Sequence, residues 1–128
     1  MSARLFSLLL LSLPALPALL ACGPPAFADV QREVFTPRCA NAACHSGDEA
    51  PLELDLSEGN AYADILDVDS VAVPGKKRVV PGDPSESLLY LVTEGPVAPV
   101  RRMPVGFPLS DSERDLLRRW IEAGALAE

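Results

Sequence analysis

The sequence predicts a small helical domain whose short helices are joined by long, proline-rich loops. Two helix starts are written out in full. Asp83-Pro84-Ser85-Glu86 puts a cap at Asp83, a proline at the first helical position and a glutamate placed to reach back, and Ser110-Asp111-Ser112-Glu113 is a capping box. Thirteen prolines punctuate the 128 residues, and the one strand-like alternation, Leu52, Leu54 and Leu56 against Glu53 and Asp55, is brief. One tryptophan and two tyrosines make a thin aromatic core for a chain of this size.

Residues 1–21 read as a secretory leader. Arg4 supplies the positive start, and residues 5–20 form an apolar core interrupted by Pro14 and Pro17. That core is short of the roughly 20 apolar residues a bilayer span needs, and it contains two helix breakers. Leu19-Leu20-Ala21-Cys22 resembles the lipobox of bacterial lipoproteins, which implies cleavage before Cys22 and lipidation of its thiol. The cysteine count agrees, because acylating Cys22 leaves an even pair in an oxidising compartment. A secreted soluble protein whose leader ends near a cysteine is the other reading. Residues 22–28, with Gly23-Pro24-Pro25-Ala26, form a proline-stiffened tether. Glycine rather than aspartate after Cys22 resembles Gram-negative lipoproteins of the outer membrane.

Residues 29–128 have the size of one domain. Asp29 is placed to cap a short helix with Val30, Val34 and Phe35 on one face, and Pro37 is expected to end it. The leucines at 52, 54 and 56 are expected in the core. Residues 57–66 carry Tyr62, Ile65 and Leu66 at helical spacing, and residues 68–78 form a loop around Pro74-Gly75. The helix opened by Asp83 buries Leu88, Leu89, Leu91 and Val92, and Gly95-Pro96 stops it. Residues 96–109 form an irregular loop, long enough to suggest a task of its own. The last helix turns Leu116, Leu117, Trp120, Ile121 and Ala123 inward, and Gly124 closes it.

The chemistry concentrates in Cys39-Ala40-Asn41-Ala42-Ala43-Cys44-His45, which holds the only histidine and both cysteines that follow Cys22. Two thiols can add across the vinyl groups of a haem, and a histidine directly after the second is then held as an axial iron ligand. The usual attachment motif is C-x-x-C-H, whereas four residues separate these cysteines. The two extra residues must bulge into a wider loop. Other uses of the residues stay open: a Cys39–Cys44 disulfide, or a zinc site completed by Asp48 or Glu53. A thioredoxin-like pair lacks both its spacing and its βαβ context.

Met103, in Arg101-Arg102-Met103-Pro104, is the only methionine after the leader. A neutral, soft thioether suits the sixth position of such an iron, and Pro104 keeps Met103 extended in the long loop. A gap-filling core methionine is the plainer alternative. Lys76-Lys77-Arg78 could face a haem propionate or simply form a solvated loop. Trp120 belongs in the core or against the haem edge.

Without Arg4, ten basic residues stand against eighteen acidic ones, a net charge of about −8. Phosphate-rich partners need the opposite sign, so nucleic acid is excluded as a partner, and a basic redox protein would be steered toward this surface. No second histidine supplies a distal acid or base, which argues against a peroxidase-like enzyme.

Residues 34–125 resemble c-type cytochrome domains of the planctomycete type. The resemblance rests on Phe35-Thr36-Pro37-Arg38-Cys39 with Cys44-His45, Leu54-Asp55-Leu56, Val80-Pro81-Gly82-Asp83-Pro84 with Ser87-Leu88-Leu89, Arg102-Met103-Pro104, and Trp120-Ile121-Glu122-Ala123-Gly124. It implies an all-α domain with its terminal helices packed together and one haem c between them. It also implies covalent attachment at Cys39 and Cys44 and axial ligation by His45 and Met103. The expected protein is a one-electron carrier, not an enzyme, lipid-anchored in the bacterial cell envelope, at the outer membrane facing the periplasm. A haem-free lipoprotein module stapled by a Cys39–Cys44 disulfide is the alternative.

Overall fold

The computed structural model describes residues 23–128, so the leader and Cys22 lie outside the described residues. Among these, every regular element is helical and only isolated β-bridges occur, which bears out the all-α class. No described helix is long and apolar enough to cross a membrane.

Helix α1 spans Phe27–Val30 and runs on as a π-helical stretch, Gln31–Cys39. Its cap is Ala26, not Asp29, whose carboxylate accepts from the Ala26 N–H at 3.2 Å. The helix starts early because Phe27, assigned by sequence to the tether, joins the core. Its ring lies 5.0 Å from Tyr62 and 5.4 Å from Trp120 between centroids, spacings at which aromatic pairs attract beyond simple burial. Pro37 does not end the helix. It has no N–H to contribute in any helical geometry, and the wider turns continue past it, closed by the Ala40 N–H on the Phe35 carbonyl at 2.8 Å. Stretches of π-helix are rare and gather at functional sites. Val30, Val34 and Phe35 are all buried, as their spacing predicts.

A single tight turn, Pro51–Glu53, precedes the extended residues 54–56. Of the three leucines there only Leu56 is fully buried; Leu52 is exposed and sits at φ +63°. Asp55 anchors the next turn by accepting from the Ser57 N–H at 2.9 Å and from the Asn60 amide at 2.8 Å. Helix α2, Ala61–Ile65, follows, shorter than predicted because residues 57–60 form a turn with Gly59 at φ +90°.

Residues 68–78 fold back on themselves through Ser70 N–H to the Lys76 carbonyl and Arg78 N–H to the Val68 carbonyl. Helix α3 is Leu88–Glu94, and it begins at Ser87 rather than Asp83. Asp83 does accept from the Ser85 and Glu86 N–H groups. The chain then leaves helical geometry because the buried Ser87 hydroxyl donates to the Asp83 carbonyl at 2.7 Å and accepts from the Val80 N–H. Leu88 and Leu89 accordingly donate to the Lys77 and Arg78 carbonyls. Glu86 turns outward to Lys76 instead of reaching back.

Helix α4, Asp111–Glu122, opens with the predicted capping box, a feature that contributes about 1 kcal/mol. Leu116, Leu117, Trp120 and Ile121 are buried. Ala123 is exposed instead: Gly124 at φ +102° turns the chain, and Ala125 enters the core in its place. The α1 extension and α3 both pack on α4. Trp120 is a core residue whose indole N–H donates to the Leu126 carbonyl at 2.8 Å.

Candidate functional site

The four residues singled out by sequence meet at one place. Cys39, Cys44, His45 and Met103 line a single cleft of about 430 Å³, within the roughly 300–1,000 Å³ typical of cofactor sites. Its remaining wall is mostly apolar and drawn from several elements: Val34 and Phe35 from the α1 extension, Leu54 and Leu56, Leu88, Leu89 and Val92 from α3, and Leu117 from α4.

The π-helical stretch delivers Cys39 at its last turn. The four residues between the cysteines form a compact turn, with the Cys44 N–H on the Asn41 carbonyl at 2.9 Å and the His45 N–H on the Cys39 carbonyl at 3.0 Å. The last bond closes the wide loop so that His45 stands beside the end of the π-helical stretch. Both cysteines are free thiols, Cys39 half-buried and Cys44 exposed. Burial pushes the Cys39 thiol up to about 12, against the opposing influence of the Arg38 charge. No group of three or more His, Cys, Asp and Glu side chains gathers closely enough to hold a metal ion among the described residues. The zinc arrangement with Asp48 or Glu53 is therefore not assembled.

Burial lowers the pKa of His45, favouring the neutral imidazole that binds metals; the nearby carbonyls of Leu54 and Pro51 act in the opposite direction. Nδ1 is buried without a well-aligned hydrogen bond.

Met103 is held from α3. Its N–H donates to the Val92 carbonyl at 2.8 Å, and the Arg102 Nε donates to the Thr93 carbonyl at 3.1 Å. The side chain is half-buried and lines the same cleft as the cysteine turn.

The Lys76-Lys77-Arg78 run divides. Lys76 pairs with Glu86, and Lys77 with Asp67 and Asp69, so these two belong to a solvated loop. Arg78 turns inward, is 8% exposed and lines the cleft. Its guanidinium donates to the carbonyls of Asp64, Leu52 and Glu53 at 2.8, 3.0 and 2.9 Å, and no carboxylate pairs with it among the described residues. Sequence reasoning did not separate Arg78 from its two lysine neighbours, because nothing in a basic run marks which member faces inward. It also missed Arg38, Leu52, Val105 and Phe107 as residues of the cleft.

The donor set suits a haem: two thiols, a histidine whose burial favours the neutral ring, a thioether, apolar lining side chains and one buried cation for an anionic substituent. Compared with known proteins, the chain matches no family model, no curated protein and no solved structure.

Proposed function

We propose that the protein is a one-electron carrier: a c-type cytochrome with a single covalent haem, tethered through Cys22 to a membrane of the bacterial cell envelope. The observation that carries this reading is the joint lining of one apolar cleft by Cys39, Cys44 and His45, which are neighbours in sequence, and by Met103, some sixty residues further on. When bound, the haem supplies reversible one-electron chemistry at its iron.

Each residue then has a task. Cys39 and Cys44 anchor the group by thioether bonds, each formed by adding S–H across a vinyl double bond, with no atom lost. His45 supplies a neutral nitrogen. Met103 supplies a soft sulfur that favours the reduced iron and raises the potential. Val34, Leu54, Leu88 and Val92 exclude water, which limits reorganisation as the electron moves. Arg78 offers its charge to a propionate. With His45 and Met103 both available to hold the iron, the protein would need no substrate site. The acidic surface favours a basic redox partner.

The test is the absorption spectrum of protein expressed with a haem-attachment system. The reading expects the sharp α and β bands of a low-spin c-type haem on reduction. A purified, fully matured chain without visible absorbance would exclude it.

A further inference from the structure

We infer that Arg38 is a positioning residue for the sixth ligand: it straps the far end of the Met103 loop to the cysteine-bearing helix. The inference rests on the haem reading, but its evidence is a separate set of contacts.

The loop that carries Met103 must be held on both sides if sulfur is to stay at a defined place. Its near side is pinned to α3 through the Met103 N–H and the Arg102 Nε. Beyond Met103 the chain is more open: Val105 is 55% exposed and Phe107 is 77% exposed. Phe107 therefore adds little burial to hold the loop down. The buried Leu109 anchors the end of the loop in the core, and between it and Met103 the hold is polar. One Arg38 nitrogen, Nη2, donates to the Phe107 carbonyl at 3.2 Å and to the Pro108 carbonyl at 3.0 Å. Its buried Nε lies 3.3 Å from Glu113 Oε1.

Glu113 is not a loose surface partner. It is the reciprocal member of the α4 capping box, with its other oxygen, Oε2, accepting from the Ser110 N–H at 2.6 Å. Arg38 therefore links three elements: the π-helical stretch that ends at Cys39, the loop after Met103, and the start of α4. A planar guanidinium can engage two carbonyls and a carboxylate at once, which a lysine ammonium on its flexible stem does poorly. Because Arg38 immediately precedes Cys39, the thioether side of the cleft and the sulfur side share one fastening.

The test uses haem-loaded protein and imidazole as an external ligand for the oxidised iron. Imidazole can bind only when Met103 has left, so its apparent affinity reports how often the loop opens. In Arg38→Ala the apparent affinity for imidazole should rise about tenfold, equivalent to about 1.4 kcal/mol of loop closure. Arg38→Lys, which keeps the charge opposite Glu113, should recover part of the loss. Glu113→Gln, which keeps the capping box, should give a smaller rise of about threefold and carries the test should Arg38→Ala fail to accumulate. Arg32→Ala, an exposed change on the same helix, should have no effect. Trypsin cleavage of the same holoproteins after Arg101 and Arg102 should accelerate in parallel with imidazole binding.

Wild-type protein showing the methionine-to-iron band, with imidazole affinity and cleavage unchanged in Arg38→Ala and Glu113→Gln, would overturn the inference and leave the haem reading intact. A wild-type chain that acquires no haem overturns both.

Discussion

Replacing Arg78 by Met should be among the most damaging single changes in this protein. The side chain is 8% exposed and donates three hydrogen bonds of 2.8 to 3.0 Å, all to backbone carbonyls. Hydrogen bonds to a charged group contribute about 1.5–3 kcal/mol each, whereas confining the guanidinium away from water costs several kcal/mol. Two of the acceptors belong to Leu52 and Glu53, at φ +63° and +54°. That left-handed geometry costs roughly 1–2 kcal/mol per residue, and the shared donor helps to offset it. Methionine keeps most of the packing and removes every donor, so the net loss should be about 2–4 kcal/mol. Urea unfolding of matured protein reads this directly, as a lower midpoint at unchanged slope. Lys77→Met, one residue away but solvated and paired with exposed Asp67 and Asp69, should cost under about 0.5 kcal/mol. Equal effects of the two changes, or a loss below about 0.5 kcal/mol for Arg78→Met, would refute the distinction drawn between them.

Three further outcomes are expected. Met103→Ala should abolish the weak near-infrared band of methionine-ligated ferric haem and lower the reduction potential, and an unchanged spectrum and potential would reduce Met103 to a packing residue. Asp55 titrates at about 2 instead of its usual 3.8, chiefly because the Ser57 hydroxyl and N–H bind its ionised form. It therefore contributes stability that is complete above about pH 4 and is lost as pH falls toward 2; acid unfolding of Asp55→Asn should lack this dependence, and parallel wild-type and variant curves would count against it. Cys22→Ser should release the protein from membranes into the soluble fraction, and an N-terminus mapped to any residue other than Cys22 would contradict the lipid anchor.

Local signals in the sequence carried much of the fold. The capping box at Ser110 and Glu113 forms as written, because its hydrogen bonds lie within one turn and need no partner from elsewhere. Asp83 shows the limit. Its cap-like side-chain bonds are made, yet the helix starts at Ser87 because the Ser87 hydroxyl and the Lys77 and Arg78 carbonyls, all tertiary partners, compete for the same backbone. Pro37 fails as a stop signal for a related reason: the rule concerns a lost donor, and the π-helical stretch proceeds without it. Cys39, Cys44 and His45 stood out in the sequence because the proposed covalent and coordinate chemistry would demand specific atoms in a fixed order, and the fold brings all three to one cleft. Arg38 and Arg78 did not stand out, since their meaning lies in carbonyls of residues 107 and 108 and of residues 52, 53 and 64. Backbone acceptors leave no mark on the identity of the residues that carry them.

The central claim is covalent haem at Cys39 and Cys44, and the most direct measurement is the intact mass of denatured protein matured with a haem-attachment system. Wild type should carry the mass of one added haem that survives denaturation and organic extraction. Cys39→Ser and Cys44→Ser should each retain haem through one thioether at reduced yield, and the double variant should retain none. Recovery of wild type only as the dithiol or disulfide, from cells that attach haem to a control cytochrome, would contradict the account.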